Sequence, residues 1–131
     1  MDVAWRTADM SYATKKKVGC VIVRDNHIIA AGWNGTPKTE PNECEYVDEN
    51  GELKTLDTVI HAEVNAIYWC ARTEIETEGA TCYTTLSPCM HCSLGLIQAG
   101  IKRVVYAEEY WNPSKTGLDI LRKAGIEVEK I

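Results

Sequence analysis

The chain has 131 residues, about the length of one ordinary domain and enough to bury a core without a disulfide scaffold. Its 45% apolar and 25% charged residues match a folded soluble chain and exclude the disordered class. A formal net charge of −5 argues against a general nucleic-acid binder, which draws most of its affinity from neutralising phosphates.

The N-terminus, MDVAWRTADM, lacks a basic stretch followed by an apolar one, and no apolar run is long enough to span a bilayer. A single cytoplasmic domain over residues 1–131 is expected, without a membrane partner. The first dozen residues, to about Ala13, read as an amphipathic helix with Val3, Trp5, Ala8 and Tyr12 toward the core. Lys15–Lys17 then form a three-lysine run, with Arg24 nearby in sequence. Such runs are usually solvated turns. The sharper alternative is a local site for a small phosphate, with Lys15 and Lys17 as candidates.

VGCVIVRDNHIIAAGW gives two apolar runs around RDN, a predicted antiparallel hairpin. NGTPKTEPNECEYVDENGELKTLD shows almost no periodicity and reads as one long loop, of the kind that is usually functional or mobile. A helix follows from about Val59 to Arg72, with Ile60, Val64, Ile67 and Ala71 on one side. ATCYTTL reads as a strand. Ser87 and Pro88 suit the N-cap and first position of the next helix, which stops at Gly100. KRVVYAE, GLDILRKAGI and IEVEKI continue as strand, helix and strand, with Ala-Gly-Ile closing both helices. Short joints between alternating strands and helices imply a parallel half-sheet. Joined to the hairpin, it predicts an α/β fold: a three-layer α/β/α arrangement with a five-stranded mixed sheet.

Of the six cysteines, Cys20 and Cys82 lie in strand-like runs and Cys70 in a helix-like one, where a thiol behaves as a small hydrophobe. Cys89 and Cys92 differ. They are three apart at a helix start, share one face, and sit where the helix terminus favours thiolate. With His61 as third ligand they make a typical catalytic zinc set whose fourth position is left for water. Glu63 lies two residues from His61 and can overhang that position, where a carboxylate suits proton transfer. A closed structural site would need a fourth ligand, for which His91 and Cys44 are the candidates. A redox C-x-x-C would leave His61 and Glu63 unexplained, and His27, beside the hairpin turn, reads as exposed.

H-x-E followed by P-C-x-x-C is the signature of zinc nucleobase deaminases. On HAEVNAI and LSPCMHC, with KVGCVIV, GWNGTP, NECEY and AGIKRVVYAEEY, nearly the whole chain resembles the cytidine and deoxycytidylate deaminase superfamily, and within it the deoxycytidylate (dCMP) deaminases. The resemblance implies a cytidine deaminase-like fold and hydrolysis of dCMP to dUMP and ammonia, which supplies thymidylate synthesis. It implies zinc on His61, Cys89 and Cys92, with Glu63 shuttling protons. It further implies substrate contacts from Asn34 and Tyr110, activation by dCTP and inhibition by dTTP, Mg2+ with the regulatory triphosphate, and a homohexamer. Gly35, Thr36 and Pro37 are the candidate regulatory contacts. Trp33 stands where the family more often has Tyr. Some relatives carry a second zinc, but Thr14, Lys15 and Glu43 here occupy places where those relatives have other residues, so one zinc is expected.

Three rivals remain open. A tRNA adenosine deaminase shares the zinc motifs but needs a surface for RNA. A cytidine or dCTP deaminase would differ in phosphate recognition. A zinc-stabilised assembly module would have no use for Glu63.

Overall fold

The structure, a computed structural model, describes residues 1–131. The N-terminal helix α1 spans Asp2–Ala8 and is followed by a hairpin of β1 (Gly19–Arg24) and β2 (His27–Trp33). The turn is two residues long, with Asp25 and Asn26 both at positive φ, 50° and 66°. This matches the right-handed twist of the flanking strands. β3 (Glu45–Val47) and β4 (Leu53–Thr55) form a small separate ribbon. Then come α2 (Ala62–Arg72), β5 (Thr81–Leu86), α3 (Met90–Gln98), β6 (Arg103–Glu108), α4 (Leu118–Lys123) and β7 (Glu127–Lys130).

The main sheet runs β2-β1-β5-β6-β7. β1 is antiparallel to both β2 and β5, whereas β5-β6 and β6-β7 are parallel. This is the expected five-stranded mixed sheet. Cys20, Ile22, Cys82 and Val104 on one sheet face pack with Ala66, Leu96 and Leu121 in one core. That face therefore carries α2, α3 and α4, while α1 covers the opposite face over β1. Gly100 and Gly125, at φ +80° and +82°, end α3 and α4 where glycine is needed.

Several elements differ from expectation. α1 stops at Ala8 rather than near Ala13; Ala8 is buried as expected, but Val3, Trp5 and Tyr12 are exposed, and Ala4 and Thr7 complete the buried face. The reason is distance. A Cβ on Gly19 would come within 2.0 Å of the Ala4 carbonyl oxygen and 2.5 Å of the Ala8 nitrogen, so only small side chains fit beneath the helix. α2 begins at Ala62, with His61 as N-cap, and buries Ala62, Glu63, Ala66 and Cys70 rather than Ile60 and Ala71. The expected long loop holds the β3–β4 ribbon, whose residues are largely exposed and show no alternation. α3 is capped by Cys89, whose sulfur accepts the Cys92 N–H at 3.5 Å; Ser87 is not the cap.

Candidate active site

His61 and Cys89 are the N-caps of α2 and α3, so both helix starts converge on one place. His61 Nδ1 lies 3.3 Å from Cys92 Sγ and 3.4 Å from Cys89 Sγ. A tetrahedral zinc site requires roughly 3.5 Å between an imidazole nitrogen and a thiolate sulfur. The three ligand atoms lie within 4.8 Å of one another, and neither His91 nor Cys44 joins them.

The protonation of the cluster fits a dication. A hydrogen bond from the Cys92 thiol, assisted by His61, holds the Cys89 thiol well below its usual range despite burial. The same contact, together with burial, pushes the Cys92 thiol up. A cation bound here would displace the thiol protons and favour both sulfurs as thiolates. His61 is raised by its hydrogen bond to Cys89, against the opposing effect of burial. Two thiolates and one imidazole form a zinc set with an open fourth position.

Glu63 is 4% exposed, and burial raises its carboxyl above the ordinary range. Thr84 Oγ1 on β5 lies 3.0 Å from Glu63 Oε1 and 3.0 Å from the Leu86 carbonyl oxygen, so its one hydroxyl proton is shared between these two acceptors. Glu63 shares a cavity with His61, Cys89, Asn34, Lys15 and Tyr110. Most of the residues singled out in the sequence therefore meet here.

Lys17 does not. It lines a separate cleft beside Asp9 and Tyr12, and Lys16, overlooked in the sequence, faces the site instead. In an extended loop neighbouring side chains diverge, and spacing alone does not say which way. Asn34 also has another task. Its amide accepts from the Val18 N–H at 2.9 Å and donates to the Lys16 carbonyl at 2.8 Å. Tyr110 is held by its N–H donating to Ser87 Oγ at 2.8 Å and stacks on Trp111 with ring centroids 4.5 Å apart. Ser87, Trp111 and Glu45 line the cavity too, and nothing in their sequence spacing marked them. Gly35, Thr36 and Pro37 line a different cleft, with Trp33, Tyr68 and Arg72.

Comparison with known proteins agrees with this geometry. Residues 1–108 match the family described as the cytidine and deoxycytidylate deaminase zinc-binding region. The deoxycytidylate deaminase of Enterobacteria phage T4 is 35% identical over 98% of this chain and 86% of its own length. That of Saccharomyces cerevisiae is 36% identical over 99% of this chain, but only 43% of its own length is matched. The crystal structure of dCMP deaminase from cyanophage S-TIM5, in complex with dCMP and dUMP, superposes with a TM-score of 0.90 at 38% identity, covering 99% of this chain and 92% of that one. The chain belongs to the cytidine and deoxycytidylate deaminase family.

Proposed function

We propose that this chain deaminates dCMP hydrolytically to dUMP and ammonia, with one zinc ion on His61, Cys89 and Cys92. The observation that carries the reading is a buried Glu63 carboxyl beside a His-Cys-Cys cluster in a cavity rimmed by Lys15 and Lys16. Zinc held by these ligands would supply the Lewis acidity that makes water a nucleophile at neutral pH. Glu63 takes the proton that water gives up and delivers it to N3 of the cytosine ring. A second transfer through Glu63 carries the proton left on the attacking oxygen to the departing amine. The C4–O bond forms, the C4–N bond breaks, ammonia leaves, and the water oxygen remains as the C4 carbonyl of dUMP.

The raised Glu63 suits this work, because a carboxyl poised nearer neutrality both accepts and returns a proton. Thr84 keeps it from turning away. Tyr110 and Trp111 offer apolar surface at the mouth. Two lysines at the rim suit a 5′-monophosphate and have no counterpart need in a free nucleoside. The named relatives act as deoxycytidylate deaminases, which supports the same substrate.

The finer parts of the reading are a cytoplasmic homohexamer of single 131-residue deaminase domains, activated by dCTP and inhibited by dTTP with Mg2+ at Gly35, Thr36 and Pro37. A second cleft at those residues, apart from the zinc ligands, supports a regulatory site. Ultraviolet-monitored deamination of dCMP, deoxycytidine, cytidine and dCTP, each with and without dTTP, tests the whole. Turnover of dCMP above the others, suppressed by dTTP, is expected. Equal turnover of the nucleosides refutes the monophosphate assignment, and no turnover of any favours the assembly module.

A further inference from the structure

Glu45 opens β3 within a stretch that shows no periodicity, yet its carboxylate does specific work. Oε2 accepts the backbone N–H groups of Thr14 and Lys15 at 3.0 and 3.1 Å. The segment it holds is the three-lysine loop. Asn34 holds the other end of that loop through the Lys16 carbonyl and the Val18 N–H. Lys16 Nζ reaches Glu108 Oε2, at the end of β6, at 2.5 Å. An exposed basic loop is therefore fastened by three residues that are distant in sequence and carried on different strands or their ends.

This fastening decides which lysines face the site. Lys15 and Lys16 line the cavity that contains His61, Glu63 and Cys89, and Glu45 itself lies on the same wall. Lys15 is held through its backbone, which leaves its ammonium available to an anion. A lysine on a loose loop would lose much of its conformational freedom on meeting a ligand, and a pinned backbone removes part of that loss beforehand. Lys16 is already paired with Glu108, so Lys15 brings the free cationic charge to this cavity, and the Glu45 carboxylate is turned toward two backbone N–H groups.

We propose that Glu45 is a positioning residue for phosphate recognition: by holding the Thr14–Lys15 backbone, it sets Lys15 to receive the 5′-phosphate of a nucleoside monophosphate. The inference rests on the deamination reading above, but equilibrium binding tests it separately. The experiment is calorimetric titration of the zinc-loaded protein with dUMP and with deoxyuridine, alongside steady-state kinetics on dCMP, for wild type, Glu45→Ala and Glu45→Gln. Glu45→Ala is expected to weaken dUMP binding and raise KM for dCMP about ten-fold, with kcat changed less than about two-fold and deoxyuridine binding unmoved. Glu45→Gln keeps an acceptor oxygen and is expected to recover most of the loss.

Unchanged dUMP binding in Glu45→Ala overturns the proposal. Tighter binding also overturns it, because the carboxylate would then be occupying the phosphate's place. Equal wild-type affinity for dUMP and deoxyuridine removes the phosphate subsite and the proposal with it. Selective dUMP binding without dCMP turnover refutes the deamination reading alone. Should Glu45→Ala not fold, Lys15→Ala reads the same subsite: a selective loss of dUMP affinity is expected, and no change overturns the assignment.

Discussion

Glu63 is an ionisable group in surroundings that disfavour its charge. Burial raises its folded pKa above the unfolded value, and the backbone, His61 and Thr84 offset this only in part. The sign of the linkage follows. Near neutral pH the folded state must either hold a proton or bury an anion, so the group opposes folding. As pH falls below the folded pKa, the carboxyl protonates in place and that cost shrinks, vanishing once pH is also below the unfolded pKa. Glu63→Gln is therefore expected to raise the melting temperature of the metal-free protein at pH 7, by an amount that shrinks on acidification. Thermal melts across pH 5–8 check this. A variant that is less stable than wild type at pH 7 would contradict the assignment of a strained buried carboxyl.

At the scale of elements, the site depends on how closely α2 approaches β2. A Cβ on Gly32 would lie 2.3 Å from the Ala62 carbonyl oxygen and 2.6 Å from the Ala66 nitrogen, both backbone atoms that cannot turn aside. Gly32→Ala is expected to cost about 2 kcal/mol or more and to displace the helix start that carries His61 and Glu63. Reduced zinc content and a lower melting temperature should appear together. Gly95, inside α3, provides the opposite sign: its added Cβ would meet only Ile67 Cδ1, at 3.8 Å. Gly95→Ala is expected to stabilise by about 0.5–1 kcal/mol, from helix propensity alone.

The same close packing explains what the sequence concealed. His61, Glu63, Cys89 and Cys92 were legible because metal chemistry demands particular residue types at short spacing. The parallel strands were legible as apolar runs between glycine stops. Apart from Ala8, which was expected in the core and is buried, the inner faces of α1 and α2 were not, because helices pressed against glycine-bearing strands bury Ala4, Ala62 and Ala66 and leave Val3, Trp5, Tyr68 and Trp69 outside. Reading helix faces by side-chain size then inverts them. The β3–β4 ribbon was illegible for another reason: with both faces largely wet, it leaves no alternation to read. Glu45 and Lys16 were missed with it, since their roles come from a contact across 31 residues and from the direction of one side chain.

For the whole molecule, the position of the site follows from topology. β5 pairs antiparallel with β1 on one side and parallel with β6 on the other. The segments leaving the C-terminal ends of β5 and β6 therefore meet the helix starts of α2 and α3, where open α/β sheets commonly bind ligands. The chain as a whole carries a net charge of −5, so attraction of a phosphate depends on the local field of Lys15. That field is exposed and open to screening by salt. Raising ionic strength from about 0.05 to 0.3 M is expected to increase KM for dCMP severalfold and to leave KM for deoxycytidine nearly unchanged. Parallel salt titrations of the two substrates check it, and equal sensitivity would place recognition elsewhere.

The central claim is a division of labour: His61, Cys89 and Cys92 hold the metal, and Glu63 moves the proton. Zinc content and dCMP turnover, measured side by side on wild type and Glu63→Ala, test it most directly. About one zinc per chain is expected in both proteins, with turnover in the variant reduced by about 10²–10⁴-fold. A variant that keeps its zinc and still turns over dCMP within about ten-fold of wild type would contradict the assignment.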